Sequence, residues 1–235
     1  MQVQNTGDIK LNGIKALIYG RTGAQKTRQI LALQNAGFRP IVISTDNGLL
    51  SLSGASVPYL SVTTYEQFLE AFNFLGKPEN QANYDVICID DISELAKIVV
   101  TVELAKTSKS GNKVNGQAAY GEMQTKIEAV VNNLLNVQGK HVLVIAKEER
   151  ISDSMTGSVM HTSKFEGKAL RDYVPYKFDF FLRCYTVVST DPANPHNIPQ
   201  FQTSQSDTHE AKDRTGKLAP IEYGDLGHLF QKVLA

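Results

Sequence analysis

Residues Gly20-Arg21-Thr22-Gly23-Ala24-Gln25-Lys26-Thr27 combine glycines, a lysine and a hydroxyl in an order suited to holding phosphate groups. A glycine-containing loop that runs from a strand into a helix gathers its backbone N–H groups around one concave spot, which attracts an anion. Lys26 adds a compact positive charge there, and Thr27 adds a hydroxyl oxygen for a divalent cation. The chemistry expected of such a loop is binding of β- and γ-phosphates together with Mg²⁺. An ordinary turn leading into a helix is the alternative.

The octet matches the P-loop pattern GxxxxGK[ST] except that Gln25 stands where the second glycine belongs. A side chain at that position narrows or reshapes the site. Three further segments supply complementary groups. The run Tyr84-Asp85-Val86-Ile87-Cys88-Ile89-Asp90-Asp91 is an apolar strand ending in acids, and Asp90 is the candidate metal-binding carboxylate. Asp91 or Ser93 can cap the helix that follows. Pro40 to Ser44 runs into Thr45-Asp46-Asn47-Gly48, where Asp46 is the candidate general base, with a plain surface turn as the alternative. His141 to Ala146 ends in Lys147-Glu148-Glu149-Arg150, so Lys147 is a candidate γ-phosphate sensor, unless this is only a solvated charge run.

These groups share a purpose only if the chain places them at one edge. Short apolar runs at Ile14 to Tyr19, Pro40 to Ser44, Val86 to Ile89 and His141 to Ala146 read as strands. Helical patterns fall between them, at Thr27 to Asn35, Tyr65 to Leu75, Ile92 to Leu104 and Tyr120 to Val137. In the second of these, Phe68, Leu69, Phe72 and Leu75 are expected on one face. Alternation of this kind predicts an α/β fold with a mostly parallel sheet covered on both faces and ligands beyond the carboxyl ends of the strands. From Asp179 the pattern changes to an antiparallel hairpin. Lys106 to Gly116 and Ser152 to Lys168 lack an apolar period and are expected to be loops.

Composition sets outer limits. The chain has 235 residues, 24 Lys+Arg against 24 Asp+Glu and no Trp, so phosphate binding has to come from local clusters. One domain, residues 1–235, is expected. Cys88 and Cys184 lie in apolar runs with no metal-type spacing, which fits buried free thiols in a reducing cytoplasm. No eighteen apolar residues run together and no leader pattern opens the chain, so neither membrane spanning nor export is expected.

Taken in order, GRTGAQKT, ISTDNGLLSL, VICIDDISEL, HVLVIAKEE, VPYKFDFFLRC and EAKDRTGKL resemble the RecA-like P-loop ATPases. Within these, the chain is similar to the small phage nucleotide-binding proteins of single-strand annealing and recombination. The resemblance runs from Ile14 to Leu218. It implies a RecA-like fold, ATP and Mg²⁺ as cofactors, and a homo-oligomeric ring or filament in the cytoplasm of a host cell. By that resemblance Lys212 and Arg214 act in trans on a neighbour's γ-phosphate, where a surface turn is the plain alternative. The segments Lys106 to Gly121 and Arg150 to Lys168 would face single-stranded DNA. Lys106, Lys109, Lys113, Lys164 and Lys168 would meet its phosphates and Tyr120 a base. A single-stranded DNA-binding protein is a further implied partner. The family usually carries Pro where Phe165 stands and a less charged fourth-strand tip.

The function expected from these features is ATP-dependent annealing or recombination on single-stranded DNA. Two other classes fit part of the pattern. A P-loop kinase of nucleosides or other small molecules would use Ser152 to Lys168 as a lid, although that stretch carries no Arg and leaves Lys212-Asp213-Arg214 unexplained. A non-hydrolysing nucleotide-binding scaffold would keep the fold while Gln25 spoils the site.

Overall fold

The four apolar runs form neighbouring strands in one sheet, although not in chain order. The computed structural model describes residues 5, 11–46, 48–109, 115–191 and 196–235, without the side chains of residues 107–109. Strands β7 (Phe180–Val188), β1 (Lys15–Gly20), β5 (His141–Ser152), β4 (Val86–Asp90), β2 (Pro40–Ser44) and β3 (Tyr59–Ser61) lie side by side and parallel. Beyond β7, strands β8 (Asn197–Gln202) and β10 (Ile221–Tyr223) extend the sheet antiparallel. The expected α/β class and added hairpin are both present.

Alternation along the strands feeds two cores, one on each face. Leu17, Ile43, Ile87, Ile89, Val142 and Val144 pack under α2 (Tyr65–Gly76), α4 (Ile92–Lys109), α5 (Gly116–Leu135) and α6 (Lys168–Lys177). Ala16, Ile18, Val42, Cys88, Leu143 and Ile145 face α1 (Gln29–Asn35) and α7 (Leu226–Leu234). The last helix is held against the first by Gln29, whose side chain donates to the Gly224 carbonyl (2.9 Å) and accepts from the Leu226 N–H (3.0 Å). Cys88 and Cys184 are buried and unbridged, as their apolar settings predict.

Several expectations need correcting. Residues 26–28 form a tight turn, with Gln29 N–H bonded to the Lys26 carbonyl, so α1 begins two residues later than the apolar pattern implies. On α2 the buried positions are Phe68, Ala71 and Leu75, while Leu69 lies at the flank, 38% exposed. The stretch from Lys106 is not a loop throughout. The α4 helix continues to Lys109, and α5 starts at Gly116, where the Asn115 side chain accepts from Ala118 N–H. Ser152 to Lys168 is likewise structured. The β5 strand runs on to Ser152 and pairs antiparallel with β6 (Val159–Ser163), from Glu148 opposite Ser163 to Ser152 opposite Val159, so the charged segment is held as strand by that pairing. A short α3 (Pro78–Gln81) and a two-residue β9 (Lys212–Asp213), paired with β7, had no periodic signal to reveal them.

Candidate nucleotide site

The carboxyl ends of β1, β2, β4 and β5 meet around a cleft of about 420 Å³. Its lining includes Thr22 to Arg28, Asp46, Ser51, Asp90, Asp91 and Lys147. Register explains the convergence. Gly20 pairs with Lys147 across β1 and β5, Asp90 pairs with Ile145 across β4 and β5, and Ser44 pairs with Asp90. The strand carrying Lys147 therefore lies between the phosphate loop and the acidic strand.

Gly20 cannot be replaced without moving backbone, since a Cβ there would sit 2.1 Å from the Cys184 carbonyl oxygen on β7. The Cys184 thiol in turn donates to the Ala24 carbonyl at 2.9 Å and is pushed up to about 12 by burial. At Gln25 the backbone adopts the left-handed conformation, φ 62°, which is the reason the motif prefers glycine there. Its side-chain amide donates to the Asn197 carbonyl at 3.3 Å, linking the loop to β8.

Lys26 folds back over the loop and donates to the carbonyls of Gly20 (2.7 Å) and Arg21 (3.0 Å). Burial pulls its ammonium below the ordinary lysine range, opposed by Cys184, Asp90, Asp91 and Glu148. Thr27 Oγ1 donates to Asp90 Oδ2 at 2.7 Å. Asp90 is buried, and desolvation raises its carboxyl to about 6. The Thr27 hydrogen bond and Lys26 work against that rise, while Asp46 and Asp91 add to it.

Asp91 caps α4 by accepting from the Glu94 N–H at 2.6 Å, so the two adjacent acids divide their roles as their sequence setting allows. Thr45 fixes both, with its N–H on the Asp90 carbonyl (2.8 Å) and its Oγ1 between the Asp91 carbonyl (2.8 Å) and N–H (2.9 Å). Asp46, at the open rim, accepts from the Gly48 N–H at 2.8 Å. The expected turn and a place in the cleft are both realised. Lys147 reaches Glu94 Oε2 at 2.7 Å and Asp91 Oδ2 at 3.7 Å. Burial lowers its ammonium, but the Glu94 hydrogen bond and the acids Asp91, Glu94 and Asp46 raise it further, leaving it above its usual value.

The other candidate residues lie elsewhere. Lys212 donates to the Pro175 and Tyr176 carbonyls (3.0 and 3.2 Å), and Arg214 donates to the Tyr176 carbonyl (2.7 Å) and to Asp179 (3.3 Å). Both thus cover the carboxyl end of α6. Lys212 lines a separate cleft of about 480 Å³ with Arg171, Tyr176 and Phe181, and neither residue lines the phosphate cleft of its own chain.

Lys106 is ion-paired within its own chain: Glu103, one turn earlier on α4, binds it at 2.8 Å and Lys126 at 2.6 Å. The Lys109 side chain and Lys113 lie outside the described residues. Lys164 and Lys168 are exposed, and the Tyr120 ring lies beside Gly167, the residue before Lys168. Ser93, the alternative cap residue, instead donates to the Lys164 carbonyl (2.7 Å) and accepts from Lys147 N–H (3.0 Å), tying the site to the foot of the β5–β6 hairpin. Glu148, in the outer half of β5 just past the apolar run, carries no role in the sequence pattern beyond its place in the charged segment.

A lysine folded over a glycine-containing loop, with a threonine hydroxyl bonded to a buried aspartate on a second strand, is an arrangement chemically suited to nucleotide phosphates and a hard divalent cation. The family model described as AAA domain matches residues 12–215. The chain belongs to this AAA domain family. The match makes the protein a member of a P-loop ATPase family and takes in every site segment from β1 to Arg214. No curated protein matches the sequence. Among the described residues of this AAA domain protein, no helix is long and apolar enough to cross a membrane.

Proposed function

We propose that this AAA domain protein binds and hydrolyses ATP with Mg²⁺ and uses that cycle to act on single-stranded DNA, promoting annealing or recombination in phage DNA metabolism within the host cytoplasm. The observation that carries the nucleotide part is the 2.7 Å bond from Thr27 to Asp90 beside the Lys26 ammonium. These donors fit the ion, since a hydroxyl and a buried carboxylate are the hard oxygen ligands that Mg²⁺ prefers. When bound, Mg²⁺ supplies charge neutralisation at the phosphates.

The chain's own groups account for the remaining tasks. Lys26 exchanges its two carbonyl partners for phosphate oxygens. Asp46, at the end of β2 on the same cleft, orients a water and accepts its proton as that water attacks the γ-phosphorus. Lys147 leaves Glu94 for the γ-phosphate, and Ser93, bonded to the Lys147 N–H, passes that movement to the hairpin foot at Lys164. Lys212 and Arg214, unable to line their own cleft, serve a neighbour's in a ring or filament.

The DNA part is supported by exposed Lys164 and Lys168 and by the partly exposed Tyr120 ring beside Gly167, the residue before Lys168, groups suited to phosphates and a base of a single strand. The stretch that a small-molecule kinase would use as a lid is instead fixed as the β5–β6 hairpin. ATP hydrolysis measured with and without single-stranded DNA, alongside the size of the assembly, tests the proposal. Stimulation by DNA together with assembly is expected. A monomer with a DNA-independent rate would overturn it.

A further inference from the structure

Where β5 runs on past the end of β1 to pair with β6, three segments bring a carboxylate and two imidazoles together. Glu148 lies on β5 and His161 on β6. His209 belongs to the segment running toward β9, which bonds alongside β6 through His161 N–H to the Thr208 carbonyl (2.8 Å) and Glu210 N–H to the His161 carbonyl (3.0 Å). His161 pairs with Arg150 across the hairpin, so Glu148, two residues before Arg150, shares its face. One donor atom from each of Glu148, His161 and His209 lies within 4.8 Å of the others. All three residues are partly buried.

We infer that Glu148, His161 and His209 form a binding site for a transition-metal dication of the zinc type, separate from the Mg²⁺ position at Thr27 and Asp90. Two imidazoles with one carboxylate favour Zn²⁺, Co²⁺ or Ni²⁺ over the oxygen-seeking Mg²⁺ and Ca²⁺. Each ligand comes from a backbone-paired segment, so the set is held in place by main-chain hydrogen bonds. The outer support is present too. Thr208 Oγ1 lies 2.9 Å from His209 Nδ1, a contact that orients the ring and leaves Nε2 to bind the ion.

Two features of the ion-free arrangement state what binding must change. The imidazoles stack with centroids 4.6 Å apart and planes 13° from parallel, so one ring has to turn before both lone pairs meet a single ion. Thr208 holds His209, which leaves His161 to turn about its broad second torsion. Glu148 Oε1 also accepts from Arg21 Nε (3.1 Å) and lies 3.1 Å from His161 Nδ1, while Arg183 Nε is 3.9 Å from Oε2. An ion on Oε1 therefore displaces Arg21, whose side chain is 76% exposed and easily released. Arg21 belongs to the phosphate loop, so metal binding frees that loop from the hairpin and joins the hairpin to the His209 segment.

Co²⁺ titrated into the full-length, chelator-treated protein tests this through its visible absorption, with Zn²⁺ competition as a second readout. One ion per chain is expected. His161→Ala and His209→Ala should each weaken binding by at least about tenfold. Arg21→Ala should tighten it several-fold, because it removes a competitor for Oε1 and a positive charge, an effect that general loosening of the fold would not produce. Asp90→Asn should leave Co²⁺ binding unchanged and so separates this site from the nucleotide cleft. Zn²⁺ should also raise the melting temperature of the wild type and not that of His209→Ala. Equal affinity in wild type and His209→Ala, weaker binding in Arg21→Ala, or loss of binding in Asp90→Asn would each overturn the assignment.

Discussion

Thr27 and Asp90, 63 residues apart in sequence, are joined by a hydroxyl-to-carboxylate hydrogen bond of 2.7 Å. The bond spans two strands that are not neighbours, because β5 lies between β1 and β4. It holds in one place the two oxygens that a cation beside nucleotide phosphates would need. Asp90→Asn, in which a neutral amide replaces the carboxylate, is expected to remove the Mg²⁺-dependent part of ATP affinity while leaving a weaker Mg²⁺-independent part. Titration with a fluorescent nucleotide, with and without Mg²⁺, checks this.

The same carboxyl gives a pH dependence. Burial raises Asp90 to about 6, and only the ionised form is a good cation ligand. Mg²⁺-dependent nucleotide binding should therefore fall as pH drops through about 6 and level off above about 7. The effect on folding has the opposite sign. Between the ordinary carboxyl value of 3.8 and about 6 the folded chain holds more protons than the unfolded one, so Asp90's contribution to stability decreases as pH rises across that window. Binding and denaturation curves recorded over pH 4 to about 8 should thus diverge.

Gln25 should be a strained residue. Its φ of 62° costs a side-chain-bearing residue on the order of 1 kcal/mol, and glycine adopts it freely. Gln25→Gly is expected to raise the unfolding free energy by up to about 1 kcal/mol and to tighten ATP binding. Gln25→Ala keeps the strain and loses the bond to the Asn197 carbonyl, so it should gain no stability. Denaturant midpoints of the two variants separate these contributions.

Gly20→Ala should act in the opposite direction. The new methyl would lie 2.1 Å from a backbone oxygen of β7, and neither strand can yield without losing its register. A loss of about 3 kcal/mol or more, or failure to fold, is expected from chemical denaturation.

These sites differ in how far the sequence alone discloses them. Strands β1, β2, β4 and the first half of β5 are buried on both faces, so each appears as an unbroken apolar run whose end marks a site residue. Gly20, Asp46, Asp90 and Lys147 could be picked out for that reason. The outer half of β5 carries Lys147 to Arg150, and its strand character depends on pairing with β6, which local pattern does not record. The pairing of Lys106 with Glu103 is hidden in the sequence, because Glu103 lies one helical turn before it on α4, whose end carries no apolar marker. Glu148 touches Arg21, His161 and Arg183 from three other segments, and no spacing rule brings such residues together.

Lys212 and Arg214 provide the sharpest test of assembly, because the contacts they make within their own chain predict one phenotype and trans action predicts another. In the protomer both cations meet carbonyls at the carboxyl end of α6, an arrangement worth about 0.3–1 kcal/mol each at a helix terminus. If that were their whole role, Arg214→Ala would lower stability slightly and leave hydrolysis per chain unaltered. Acting on a neighbour's γ-phosphate, the same change should depress turnover about a thousandfold with single-site ATP binding retained. Turnover per chain should also rise with protein concentration. Mixing Arg214→Ala with Lys26→Ala decides between the two, since the mixture re-forms interfaces at which an intact Arg214 faces an intact Lys26. Recovered activity is expected. Its absence, with a concentration-independent rate, would reduce Lys212 and Arg214 to caps on α6.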